Sequence, residues 1–152
     1  MNILIVYDSQ FGNTEKIAKA MAEALTPSAP SNGAKLIRAG EAKIADLENI
    51  DLLIIGSPTQ AGRPLPSVKG FLNKIPADGL KNIKVASFDT RMKFFFIKIF
   101  GYAADRMAKV LQSKGGNLVV PPMGFIVSEK EGPLKEGELE RAAEWAKDII
   151  NK

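Results

Sequence analysis

The chain has 152 residues, 45% hydrophobic and 25% charged, with a net charge of +4. That length favours one domain, residues 1–152, with a core that needs no staples. The chain has no Cys and no His, which excludes disulfides, thiolate nucleophiles, and the commonest general base and metal ligand.

The apolar run Ile3–Tyr7 reads as the first strand and is too short for a membrane span or a signal segment. Ile17, Met21 and Leu25 then recur at helical spacing. Thr26–Gly33, "TPSAPSNG", is a loop, and Lys35–Arg38 a second strand. Gly40–Asn49 is too short and polar to assign. Asp51–Gly56 is the third strand. Pro64 and Pro66 suit the start of a helix carrying Val68, Phe71, Leu72 and Ile75. Lys84–Phe88 is the fourth strand. Ala104, Met107, Ala108 and Leu111 form a helix that Gly115 and Gly116 end. Asn117–Val120 is the fifth strand, and Leu139, Ala142, Ala143, Ala146, Ile149 and Ile150 mark the last helix. Runs one, three and four are almost wholly apolar, as in parallel strands covered on both faces. Strand and helix alternate, so the fold class is α/β with a parallel sheet.

In such a sheet the ligand lies beyond the carboxyl ends of the strands. "SQFGNT", Ser9–Thr14, runs from the first strand into the first helix. Free N–H groups at a helix start favour an anion. Ser9, Asn13 and Thr14 add neutral donors, and Gly12 allows close approach. The spacing matches neither G-x-x-x-x-G-K-[ST] nor G-x-G-x-x-G, which argues against NTP hydrolysis and a conventional dinucleotide site. Two readings stay open for the loop: a phosphate site, or a helix start capped by its own side chains. With no His or Cys, redox or group-transfer chemistry falls to a cofactor; neither catalytic side chains nor metal ligands are expected.

"IVYDSQFGNTEKIAKAM" resembles the first strand, phosphate loop and first helix of flavodoxins. "GSPTQAGRP" and "SFDTRMK" fall where that family carries its flavin-flanking loops, and the final helix is similar too. The resemblance implies a flavodoxin-like, doubly wound, five-stranded parallel sheet in the order 2-1-3-4-5, with helices on both faces. It implies FMN, with Ser9, Gln10, Phe11, Gly12, Asn13 and Thr14 on the phosphate. Pro58, Thr59, Gln60, Ala61 and Gly62 would border the ring on one side, and Phe88, Asp89, Thr90 and Arg91 on the other. Arg63, Arg91 and Lys93 would stand in those two loops as cations near the ring. The chain departs from the family in its basic charge and in having no aromatic in "TQAG". "PTQAG" is closer to flavodoxin-like quinone reductases.

The expected function is FMN-dependent electron transfer, with an FMN-dependent NAD(P)H:quinone-type oxidoreductase or a flavin-free binding module as alternatives. The expected partner is a redox protein or a quinone, not nucleic acid, and the location is cytoplasmic. Phe94, Phe95, Phe96 and Phe100 are half of the eight Phe. They read either as a docking surface, which also admits a homodimer, or as a segment folded over the core. Asp89 and Arg91 read as ligand-facing rather than as a local ion pair. Asp8 reads as a solvated loop acid, and Trp145 as core.

Overall fold

A computed structural model describes residues 1–29, 33–93 and 101–152. The strands are β1 (Ile3–Tyr7), β2 (Lys35–Arg38), β3 (Leu52–Pro58), β4 (Lys84–Met92), β5 (Asn117–Leu118) and β6 (Met123–Val127). The helices are α1 (Asn13–Leu25), α2 (Pro66–Lys74), α3 (Ala103–Ser113) and α4 (Glu138–Ile150), with short 3-10 turns at Thr26–Ser28 and Ile44–Leu47. The second of these turns lies in the stretch the sequence left unassigned.

All the strand pairs are parallel, in the order β2-β1-β3-β4-β5, with β6 also on β4. The expected order therefore holds, and the fifth strand is the part that differs. β5 pairs Lys84 and Val85, while β6 pairs Phe88–Met92 further along β4. The opposite edge of β4 is taken by β3, so β5 and β6 are two pieces of one edge strand. Pro121 and Pro122 lie between them. A proline gives no N–H to a ladder, and pairing resumes only at Met123.

The apolar strands need cover on both faces, and the helices supply it. Ile3, Ile5, Ile54, Ala86 and Phe88 pack under α1 and α4 with Ile17, Met21, Ala146 and Ile149. Leu4, Val6, Leu53, Ile55 and Val85 pack on the other face under α2 and α3 with Val68, Leu72, Met107 and Leu111. Alternate residues of each strand thus enter alternate cores, as the period of two requires. Trp145 is core, as expected. Its ring meets those of Phe88 and Phe125 edge to face at 6.3 and 6.1 Å, and Phe88 meets Phe125 at 6.0 Å.

Gly56 makes room for this aromatic cluster. A Cβ there would lie 2.1 Å from Cζ of Phe88. Gly56→Ala should therefore cost about 1–3 kcal/mol through overpacking. Phe88→Leu introduced beside it should recover part of that loss, a positive coupling that urea denaturation of the two single variants and the double variant will measure.

Candidate functional site

The carboxyl ends of β1, β3, β4 and β6 surround a cavity of about 530 Å³. That volume suits a cofactor-sized ligand. Its wall comprises Ser9, Gln10, Phe11, Asn13 and Thr14 after β1, Pro58 at the end of β3 with Thr59–Gly62 after it, Thr90–Met92 of β4, Val127 at the end of β6 and Lys130 beyond it.

Helix α1 starts at this cavity without a side-chain cap. Gly12 holds the N-cap position at φ +91°, and the first helical bond runs from the Lys16 N–H to the Gly12 carbonyl at 3.1 Å. Among the described residues, the N–H groups of Asn13, Thr14 and Glu15 meet no acceptor. The small polar residues do other work. Ser9 Oγ accepts the Gly12 N–H at 3.0 Å, which leaves its own hydroxyl hydrogen to donate. Asn13 Nδ2 donates to the Glu131 carbonyl at 3.1 Å. The Thr14 and Thr90 hydroxyls pair at 2.7 Å, joining the first loop to β4. The capped-turn reading of "SQFGNT" thus gives way to open donors beside a cavity.

An ion network holds the loop from behind. Asp8 Oδ1 accepts from Arg38 Nη1 at 2.8 Å and from the Ser9 N–H at 2.8 Å. The Ser67 hydroxyl donates to the other oxygen of Asp8. Arg38 Nη2 and the Tyr7 hydroxyl both donate to Glu15 Oε2, at 2.7 and 2.9 Å. The Tyr7 hydrogen bond, reinforced by Arg38, holds the Glu15 carboxyl below its ordinary range. Asp8 is therefore no solvated loop acid, because an arginine and a serine share it.

The loop after β3 folds back as a hairpin. Gln60 and Arg63 exchange both backbone hydrogen bonds at 2.9 Å, with Ala61 at φ +48° and Gly62 at φ +79° between them. Positive φ at both central residues marks a type I′ turn. Its root is tied where Ser57 Oγ accepts the Leu65 N–H at 2.9 Å. The side-chain amide of Gln60 donates to that of Gln10, linking this loop to the first. Thr59 lines the cavity, but its hydroxyl oxygen is occupied by the Ala103 N–H at 2.9 Å.

Several expected ring neighbours lie elsewhere. Phe88 does not line the cavity, because its side chain points into the core below Gly56. Asp89 is fully buried and holds Arg91 through a two-pronged ion pair at 2.6 and 2.8 Å. Its second oxygen also accepts the Ala104 N–H at 2.9 Å. The local ion pair, set aside for Asp89 and Arg91, is thus what forms. Burial pushes the Asp89 carboxyl up, and Arg91, the Ala104 N–H and Thr59 pull it back down. Arg91 still reaches the cavity wall, its guanidinium over the Tyr102 ring at 3.3 Å. A Cβ on Gly124 would meet Arg91 Nε at 2.2 Å, so the guanidinium also needs that glycine. Arg63 lines a separate, smaller recess, and Lys93 is not among the lining residues. Phe94–Phe100 lies outside the described residues.

Lys130 and Val127 went unnoticed in the sequence. They arrive with β6, whose apolar run "GFIV" ahead of "SEKEGP" was the available signal. The Asn13–Glu131 bond brings this turn against the first loop.

The flavodoxin family model matches residues 5–145. An NAD(P)H dehydrogenase (quinone) of Azorhizobium caulinodans is 32% identical over a match covering 47% of this chain. The match takes in 45% of that relative, so the chain spans less than half of its length. Among solved structures, flavodoxin 1 of Bacillus cereus superposes with a TM-score of 0.81 at 19% identity, covering 99% of this chain and 98% of that one. Flavodoxin 2 of the same organism gives 0.79 at 22%, with 99% of each chain covered. At these identities the likeness is one of fold.

The hairpin yields a prediction of its own. Ala at positive φ is strained, whereas Asn-Gly is the preferred pair in a type I′ turn. Ala61→Asn should raise stability by up to about 1 kcal/mol, and Ala61→Val should lower it. Thermal melts of the ligand-free variants will show both signs.

Proposed function

The chain belongs to the flavodoxin family, and from that premise we propose that it is an electron-transfer protein with FMN as its cofactor, acting as one domain in the cytoplasm. No helix among the described residues is long and apolar enough to cross a membrane. The observation that carries the reading is the uncapped start of α1 at the cavity wall.

The donors there fit a phosphate. N–H groups of the first turn, the Ser9 hydroxyl and the positive end of the helix all favour an anion. Lys130 adds a positive charge to the same wall. The Asp8–Arg38–Glu15 network keeps the loop in place, so the donors need little reordering when the phosphate arrives. Pro58, Thr59, Gln60, Ala61 and Gly62 would flank the ring from one loop, with Thr90, Arg91 and Met92 beside it. Phe88 and Asp89 drop out of the binding set and become supports, Phe88 through the core and Asp89 by holding Arg91.

When bound, FMN supplies the one- and two-electron chemistry that no side chain here can supply. The chain binds the cofactor, orients it and sets the charge around it. Asp89 offsets most of the Arg91 charge, and Arg63 lines a different recess. The ring therefore has a less cationic setting than the sequence suggested. A redox protein is the expected partner.

A second reading, an NAD(P)H:quinone-type oxidoreductase, draws on the Azorhizobium relative. Steady-state turnover of NAD(P)H with a quinone, without any added reductase, would favour it. The flavin-free alternative is tested by the visible spectrum.

The purified protein should show a flavin spectrum and bind one FMN. Riboflavin lacks the phosphate and so forgoes several charge-assisted hydrogen bonds of about 1.5–3 kcal/mol each. It should bind at least about a hundredfold more weakly in a calorimetric titration. Lys130→Ala should weaken FMN a few-fold, less so at high salt, and leave riboflavin unchanged. Equal affinities for the two flavins would remove the phosphate from the α1 site.

A further inference from the structure

The smaller recess, about 190 Å³, lies between α2 and α3. Its floor is apolar, with Leu72 and Met107 buried and Val110 half-buried. Exposed Arg63, Lys69 and Arg106 stand around it, and no acid among the described residues lines it. One hairpin borders both hollows. Gln60, Ala61 and Gly62 line the cavity, while Arg63, paired with Gln60 through the backbone, lines the recess.

We propose that this recess is the docking point for an acidic redox protein, which places a carboxylate side chain against Arg63 and Lys69 and an apolar one over Leu72 and Met107. The inference rests on the electron-carrier reading and supplies its partner class. The size argues against a nucleotide, because ligand pockets usually run to about 300–1,000 Å³. The apolar floor argues against a bare inorganic anion, which would leave that surface uncovered. An apolar centre with a charged, arginine-bearing rim is the usual anatomy of a protein interface. The chain's charge of +4 adds a long-range attraction for an acidic surface. Docking at Arg63 also brings the partner beside the hairpin that would flank the flavin, where electron exchange must take place. In the transfer itself one electron leaves the partner's reduced centre and enters the oxidised flavin.

The probe is a plant-type [2Fe–2S] ferredoxin, a small acidic one-electron protein. Two readouts are taken on wild type and on the double variant R63E/K69E. The first is calorimetric binding of oxidised ferredoxin to the protein as purified, which does not require flavin. The second is stopped-flow reduction of the FMN-loaded protein by reduced ferredoxin from low to high salt. For wild type, binding should be measurable at low salt, and the rate should fall about tenfold or more as salt rises. The double variant should lose binding, react at least about tenfold more slowly at low salt, and speed up as salt rises. Its FMN affinity and visible spectrum should stay as in wild type, because neither residue lines the cavity. Equal binding by the two proteins would overturn the docking site. So would a ferredoxin-free dimer that the double variant abolishes, which would give the recess to a second copy of the chain. A protein that binds ferredoxin through these residues yet takes up no FMN would overturn the carrier reading and keep the surface.

Discussion

Helix α1 begins with N–H groups that its own sequence does not satisfy, and much of the surrounding structure is arranged around that fact. An Asp or Asn at the N-cap would normally close such a start. Here Gly12 occupies that position in the left-handed region and has no side chain to offer. The neighbouring polar side chains are committed elsewhere: Thr14 to Thr90, Asn13 to the Glu131 carbonyl, and Ser9 Oγ to the Gly12 N–H. A glycine N-cap in place of Ser, Thr, Asp or Asn costs only about a few tenths of a kcal/mol. The chain tolerates it because the loop is fixed from behind by Asp8, Arg38, Glu15 and Tyr7. That fixed loop keeps the donors aimed at one place.

Charge is handled differently at the two ends of the cavity. At the α1 end Lys130 stands on the wall with no carboxylate partner among the described residues. At the β4 end Arg91 is locked to a buried carboxylate and stacked on Tyr102. Removing Asp89 would leave Arg91 uncompensated in a mostly buried position, which is among the costlier single changes a protein can suffer. Arg63 belongs to neither end, and the hairpin gives it to the neighbouring recess. The basic character seen in the composition is thus spread over separate places: the cavity wall, a structural ion pair and the neighbouring recess.

The sequence carried the sheet well because buried parallel strands leave a plain mark. Ile3–Tyr7 and Asp51–Gly56 are nearly continuous apolar runs, and the helices between them repeat at helical spacing. It carried β6 poorly because Pro121 and Pro122 interrupt the edge strand and hide its second half. The loop "SQFGNT" stood out by composition and the stretch "TQAG" by its resemblance to a flavodoxin loop, and both line the cavity. Arg91 lines the cavity as expected, whereas Asp89 is buried behind it as its ion-pair partner. Residues two apart on a strand share a face, and extending the fourth strand past Phe88 would have paired them. The direction of Arg63 and the approach of Lys130 depend on a turn and on a contact between residues 13 and 131. No local pattern encodes either.

The open start of α1 is proposed to hold a phosphate dianion. Helix-end donors and Lys130 stabilise the doubly charged form, so they must lower its second pKa from the free value of about 6. The direct measurement is the ³¹P resonance of FMN bound to this protein, followed from pH 5 to 9. The expected signal stays at the dianion position across that range. A bound phosphate that titrates near 6, as it does in free solution, would show that the α1 donors do not hold it.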